Sequence, residues 1–336
     1  MAFLSGVSMF SLPCAYATPS ADGVARFVAE CFQLGPVTGC RMLNRSFNDV
    51  FVVEASVCKA VLRLSRAGWR RRSELEYEAG LLAHLRSRSV AVAAPYRGCD
   101  GRYCQEAVGT DGIRLALLFD FVEGRDPQES PADRWAQGAA LAHIHAGAAD
   151  FCSMHERARL DLGHLLARPL ARLGPMLDTR PDDRAYLAGL DERLRRLVGD
   201  RDGELSQCVC HGDCHGSNAR IDSHGSATMI DFDDGGPGWV AYDLAVFLWT
   251  ACAFFPQRRA LWRYFLDGYR SVRPIARADL DAVPLFVPLR HIWLLGEYAA
   301  GAGGWGTWWL GEWFDRQIAF LRAWEEEQLS DPLGLH

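Results

Sequence analysis

Apolar residues recur at Val24, Phe27, Val28 and Cys31, the spacing of one helical face, which predicts an opening helix over 21–33. Two short β-branched runs follow, FVVE (51–54) and KAVLRL (59–64), separated by a few small residues in the manner of a hairpin. Arg63 sits inside the second run, where a charge is out of place. In SELEYEAGLLAHLRS (73–87), Leu75, Leu81, Leu82 and Leu85 keep a helical period, and the glutamates near its start favour the positive end of the helix dipole. After Pro95 a glycine-rich turn (GCDGRY) leads to a second hairpin ending in LALLFDFVEG (115–124).

The pattern changes at Pro131. WAQGAALAHIHAGA (135–148), the arginine- and leucine-rich stretches of 158–199, and most of 240–325 have the helical period. CVCHGD, ARID and ATMIDF interrupt them as short strand-like runs. The expected organisation is therefore α+β and bilobal: a small β-rich lobe over 1–118, a hinge over 119–125, and a mainly helical lobe over 126–336.

Composition narrows the class. A chain of 336 residues can hold two lobes. With 49% hydrophobic and 23% charged residues, it reads as an ordinary globular protein. A formal net charge of −6 excludes a broad nucleic-acid surface, so any polyanion must meet a local patch of positive charge. That charge is almost all arginine, Lys59 being the single lysine. Eleven scattered cysteines, several in apolar runs, indicate reduced thiols in a cytoplasmic protein rather than a disulfide framework. MAFLSGVSMFSLPCAYA has no Lys or Arg near its start and is interrupted by Pro13, so it is not read as a signal peptide. No run is long and apolar enough to predict a membrane span.

The stretch VCHGDCHGSN (209–218) concentrates the candidate chemistry. Zinc could be held by Cys210, His211, Cys214 and His215, but four ligands within six residues would leave Asp213, Asn218 and Asp231 unexplained. The other reading is phosphoryl transfer, which needs an orienting acid, oxygen ligands for magnesium and a cation on the phosphates. Asp213 precedes Asn218 by five positions, the interval between catalytic Asp and metal-binding Asn in a kinase catalytic loop. Asp231 follows at the end of an apolar run, and a hairpin turning at IDSHG would bring it back beside Asn218. An amide oxygen and a carboxylate are hard ligands of the kind magnesium prefers.

HGDxHxxN (211–218), IDFDD (230–234) and YDLA (242–245) resemble the aminoglycoside phosphotransferase and choline kinase-like superfamily, relatives of the protein kinases. FDDGGPGWVAYDLAVFLW (232–249) and RHIWLLGEYAAGAGGWG (290–306) are similar to the branch that includes stress response kinase A. The resemblance covers roughly residues 40–325 and implies a protein-kinase-like fold using ATP and Mg2+. It implies that Asp213 is the catalytic base or hydroxyl orienter, with Asn218 and Asp231 as metal ligands. His211 would brace the loop beside His215, and Asp243 would anchor its supporting helix. Asp233 and Asp234 are possible metal or substrate contacts.

On the nucleotide side, the resemblance puts Arg63 on the phosphates with Glu78 as its partner. Lys59 is the rival cation, expected to face solvent, as are Glu74 and Glu76. Ser46, Phe47 and Asn48 would cover the phosphates without a glycine-rich motif, and Phe119 and Phe121 would lie against the adenine at the hinge. Trp305, Trp308 and Trp309 are candidates for the acceptor pocket, although core packing explains them equally well. His143 and His145 are read as packing residues. The expected activity is transfer of the γ-phosphate to a hydroxyl of a small molecule, such as an aminoglycoside, another natural product or an amino alcohol, with antibiotic resistance or modification as the role that analogy suggests. A protein Ser/Thr kinase and a catalytically silent binding module are the alternatives.

Overall fold

A computed structural model of the chain describes residues 14–329; the reading of the first thirteen residues lies outside them. The N-terminal lobe is an antiparallel sheet with strand order β1-β2-β3-β5-β4. Its strands are β1 (Val37–Arg45), β2 (Asn48–Ala55), β3 (Lys59–Ser65), β4 (Gln105–Gly109) and β5 (Gly112–Asp120). The β2–β3 hairpin runs in register from Glu54 opposite Lys59 to Asn48 opposite Ser65. The sequence pattern does not predict strand β1: VTGCRMLNR is an edge strand, only partly buried, and lacks a clean apolar alternation.

The two faces of this sheet explain Arg63. Successive strand residues point to opposite faces. Ala60, Leu62 and Leu64 join Phe51, Val53 and Leu118 in a core closed by Val24 and Val28 of α1 (Ala21–Cys31). Arg63 takes the other face, toward α2 (Arg72–Ser87), whose Leu75, Leu81, Leu82 and Leu85 pack with Leu115 and Leu117. Glu76 departs from expectation: it is buried and accepts the backbone N–H of Cys104 at 2.9 Å. Glu74 caps α2 by accepting from Arg71 N–H at 2.9 Å. Strand β5 runs to Asp120, so the first two residues of the expected hinge are still sheet.

The second lobe is mainly helical: α3 (Pro131–Gly147), α4 (Arg168–Leu173), α5 (Pro181–Gly199), α6 (Val240–Ala253), α7 (Trp262–Val272), α8 (Arg277–Trp305) and α9 (Glu312–Trp324). Ser130 starts α3 by accepting from Asp133 N–H, with Pro131 at the first helical position. Helix α6 is buried on nearly every side and apolar except for Asp243 and Thr250. In α8, Pro288 lacks the N–H that would bond the carbonyl of Pro284, and the Trp324 indole donates to that carbonyl at 3.0 Å instead. Short strands carry the loops between helices: β6 (Gln207–Cys210) pairs with β9 (Gly236–Trp239), and β7 (Ala219–Ile221) with β8 (Ala227–Met229). None of the described helices is long and apolar enough to cross a membrane.

Helices α3 and α7 approach closely at Gly138, where a Cβ would fall 1.9 Å from the carbonyl oxygen of Phe265. Gly138→Ala must push the helices apart and should cost about 1–3 kcal/mol, as overpacking does. Urea denaturation monitored by circular dichroism checks this; an unchanged midpoint would contradict the close packing.

Candidate active site

The catalytic-loop geometry starts from a buried anion. Asp243, fully buried on α6, accepts the backbone N–H groups of His211 at 2.6 Å and Gly212 at 2.8 Å. His145 on α3 lies 2.9 Å from the same carboxylate and 2.7 Å from the Tyr269 hydroxyl on α7. Burial opposes charge on His145, but Cys208, Tyr269 and Asp243 outweigh it and its pKa is raised. Cys214 donates to the Asp243 carbonyl, and Cys210 to that of Trp239. Gly212 has φ +81°, and a Cβ there would lie 2.1 Å from the carbonyl oxygen of Asp234, so the loop requires glycine at this point.

His211 carries this order forward. Its Nδ1 accepts from Asp213 N–H at 3.2 Å and its Nε2 lies 3.1 Å from the Ile230 carbonyl, so one imidazole ties the loop to the residue before Asp231. Burial lowers its pKa, which suits a neutral ring with one donor and one acceptor nitrogen. Ala219 pairs with Met229, and Ile230 N–H donates to the Asn218 carbonyl at 3.0 Å, which sets Asn218 and Asp231 side by side. Asn218 turns its amide nitrogen to Asp213, 2.9 Å from Oδ2, and so leaves its carbonyl oxygen for a cation. Asp231 has φ +66°, a left-handed turn that Asp tolerates better than most residues.

Arg63 crosses from β3 into this site. It forms a two-pronged pair with Glu78 at 2.8 and 2.5 Å and reaches Asp231 Oδ1 at 3.4 Å. Burial opposes its charge, yet Glu78, Asp233 and Asp231 raise its pKa. The desolvating walls and the neighbouring carboxylates of Asp233, Asp213 and Asp234 push Asp231 up to about 7 against the pull of Arg63, while 49% of its side chain stays open to the cleft. A divalent ion placed there would restore the anion.

A cleft of about 320 Å3 joins these groups, within the size range of small-molecule sites. Arg63, Glu78, Asn218 and Asp231 form its polar end with Ser46 and Asn48; Phe119, Phe121, Val61, Leu82 and Ala93 form an apolar wall. Lys59, partly exposed, is elsewhere: its ammonium sits 3.7 Å from the centroid of the Phe121 ring, over the hinge rather than beside Glu78. Phe47 does not line the cleft; it stacks on Trp69 at 5.2 Å and meets Trp305 edge-on at 4.8 Å.

Other expectations change with burial. Asp233 is neither a free acid nor open to substrate: it is buried, bonded by Arg70 at 3.1 Å and by the Asn48 amide at 3.0 Å, and although burial opposes its charge, the cations of Arg70, Arg63 and Arg157 hold its pKa far below the usual range. Asp234 also meets Arg70, at 2.6 Å; desolvation still pushes its carboxyl up to about 6. Trp309 is fully buried against Tyr298, Trp313 and Phe314, so it belongs to the core and not to an acceptor pocket. Trp308 is 65% exposed, and Trp305 lies between the two lobes with Arg66 over its ring at 4.6 Å. His215 stands 3.4 Å from Asp213 Oδ2. Among the described residues no three His, Cys, Asp or Glu side chains group as a metal cage.

Sequence reasoning missed two arginines. Arg70, in the WRRR run, joins the lobes through Asp233 and Asp234. Arg290 on α8 donates through Nη2 to Asp213 Oδ1. A single cation inside the apolar run VPLRHIWLL was the available signal.

A β-sheet lobe over a helical lobe, with an Arg–Glu pair, an Asp–Asn loop and a second Asp around one cleft, is the architecture of a kinase-like phosphotransferase. The chain belongs to the phosphotransferase enzyme family, whose model matches residues 43–275. It is 35% identical over 320 residues to an uncharacterised protein of Deinococcus radiodurans, covering 94% of this chain and 93% of that one. Homoserine kinase of Brucella canis is 32% identical over 220 residues, 64% of each chain. Among solved structures, an amicoumacin kinase with AMP-PNP and Ca2+ superposes with a TM-score of 0.73 at 18% identity over 91% of this chain and 93% of that one. A microcompartment-associated aminopropanol kinase gives 0.72 at 24% over 93% and 99%. These likenesses fix the fold as kinase-like.

The Asp243 carboxylate satisfies two buried backbone donors at once. Asp243→Ala should therefore cost about 3 kcal/mol, within the range for losing charged hydrogen bonds. Asp243→Asn, which keeps one acceptor oxygen, should lose less. Equal denaturation midpoints for both variants and the parent would refute the anchoring role.

Proposed function

We propose that this enzyme transfers the γ-phosphoryl group of ATP to the hydroxyl of a small amino alcohol or hydroxy amino acid. The observation that carries the reading is Arg63 held between Glu78 and Asp231 at the polar end of a cleft whose other end is apolar. Homoserine and aminopropanol, the acceptors named for a relative and a structural neighbour, are both small hydroxylated amines.

The adenine would lie between Phe119, Phe121 and the aliphatic wall, with the triphosphate running toward Arg63. A buried guanidinium already paired with Glu78 is pre-oriented, so it meets phosphate oxygens with little further loss of side-chain freedom. Asn218 through its free carbonyl oxygen and Asp231 through its half-open carboxylate would hold magnesium, the rest of its shell being phosphate and water. Bound there, the ion would offset charge on the phosphates. Asp213, bonded to Asn218 at 2.9 Å, would accept a hydrogen bond from the acceptor hydroxyl, holding its oxygen in line with the phosphorus. In a loose transition state that alignment matters more than strong basicity.

Two variants separate these roles. Asp213→Ala should lower turnover by roughly 10²–10⁴-fold while leaving nucleotide affinity near the parent value. Asp231→Ala should weaken metal-dependent nucleotide binding as well. Calorimetric titration of an ATP analogue with Mg2+, together with ADP release in the presence of homoserine and aminopropanol, reads both. Equal loss of nucleotide affinity in the two variants would sink the division of labour.

A further inference from the structure

We infer that Arg290 is a positioning residue for phosphoryl transfer: it fixes the Asp213 carboxylate from the helical lobe. The inference rests on the reading of Asp213 as the group that orients the acceptor hydroxyl.

Arg290 is 3% exposed in the middle of α8, inside an otherwise apolar stretch. A buried guanidinium costs several kcal/mol unless an anion faces it. The anion it finds is Asp213, 77 positions away, whose Oδ1 accepts from Nη2. The guanidinium carbon lies 4.2 Å from the centroid of Trp293 and 4.9 Å from that of Trp249, so two indole faces fix its position. Its cation also acts on Asp234 and on the buried Tyr242 hydroxyl beside it.

The effect on Asp213 is geometric. Oδ1 is held by Arg290; Oδ2 is held by Asn218 at 2.9 Å, with His215 at 3.4 Å. A carboxylate gripped at both oxygens cannot rotate about its Cβ–Cγ bond, yet each oxygen keeps a lone pair for one more donor. Both grips matter because the two come from different elements: Asn218 from the loop itself, Arg290 from a helix that the loop does not contain. Without Arg290, the carboxylate would keep the loop-side contact and lose its orientation relative to the lobe. Asp213, Asp231 and Asp234 also place three carboxylates around one site, and Arg290 supplies a counter-charge on the acceptor side as Arg63 does on the nucleotide side.

The test is a double-mutant cycle with ADP release from ATP as the readout, using homoserine as acceptor and, in parallel, water alone. Arg290→Met keeps the length and packs between the indoles without charge. It should lower kcat by about 10²-fold, the scale of a misplaced catalytic group, with the KM for ATP and the melting temperature close to the parent. Arg290→Lys should retain more turnover than Arg290→Met, and non-denaturing guanidinium should restore part of the turnover of Arg290→Ala. In the Asp213→Asn background, Arg290→Met should bring no further fall, since residues acting as one unit are non-additive.

Parent-like kcat in a folded Arg290→Met, or an undiminished further loss in the Asp213→Asn background, overturns the inference. Should Asp213→Asn itself turn over normally, the underlying reading of Asp213 fails, and this inference with it; a dead Asp213→Asn beside a normal Arg290→Met removes the Arg290 role alone.

Discussion

The Asp243 carboxylate is the constraint from which the site geometry follows. Two consecutive backbone N–H groups, those of His211 and Gly212, point at one fully buried anion. Consecutive amides can converge in this way only if the backbone turns sharply between them, and the left-handed Gly212 supplies the turn. The anion in turn is held by His145, and through it by Tyr269, so α3, α6 and α7 all bear on a few loop atoms. Once His211 is fixed, its ring holds both Asp213 N–H and the Ile230 carbonyl. The positions of Asp213 and Asp231 are thus consequences of a carboxylate that touches neither.

The three aspartates between 231 and 234 show how place in the fold assigns different work to identical side chains. Asp231 faces the cleft with Arg63 on one side. Asp233, two positions on, is buried under Arg70, Arg63 and the Asn48 amide, and so joins the β-sheet lobe to the helical lobe. Asp234 shares Arg70. Arg157 adds to the junction from the helical side, donating to the backbone carbonyls of Gly235 at 2.5 Å and Glu74 at 3.3 Å. Such desolvated charges hold together only while every partner is in place, which makes the relative setting of the lobes specific more than it makes the fold stable. Arg63 is the member shared between this junction and the cleft, so nucleotide phosphates meeting it would act on the same network that sets the lobes.

The amino-acid pattern made the architecture legible where periodicity and spacing were local. The β2–β3 hairpin, α2, α3 and the Asp213–Asn218–Asp231 arrangement all follow from short-range signals, and a charge out of place in a strand pointed to Arg63. Long-range pairing was not legible: β9 (GPGW) has no strand signature of its own and exists because β6 needs a partner. The partners of buried charges were equally hidden. Glu76 and Asp233 look like surface acids in sequence, and only the fold brings Cys104 N–H and Arg70 against them. Strand alternation set the face of Lys59 but not what lies beside it; the hinge brings Phe121 under its ammonium. Trp308 and Trp309 are adjacent in sequence yet fall on opposite sides of the surface boundary.

The turn over the polar end of the cleft shows how a loop without a glycine-rich motif can still be shaped for its place. Glycines in such loops let the backbone approach phosphate, at the expense of a large conformational entropy to be lost on ordering. Here the turn between β1 and β2 is ordered by side chains instead. Arg66 donates to the Ser46 carbonyl at 3.1 and 2.6 Å, and Ser46 N–H donates to the Asn48 carbonyl at 3.0 Å. Phe47 at the tip rests on Trp69 and on Trp305 of the helical lobe. Aromatic pairs of this kind add roughly 0.5–1.5 kcal/mol beyond burial. The contact from Phe47 to Trp305 spans the two lobes, as the Arg70–Asp233 pair does. The turn and the ion-pair junction are thus two bridges between the same lobes, one built from aromatic faces and one from desolvated charge.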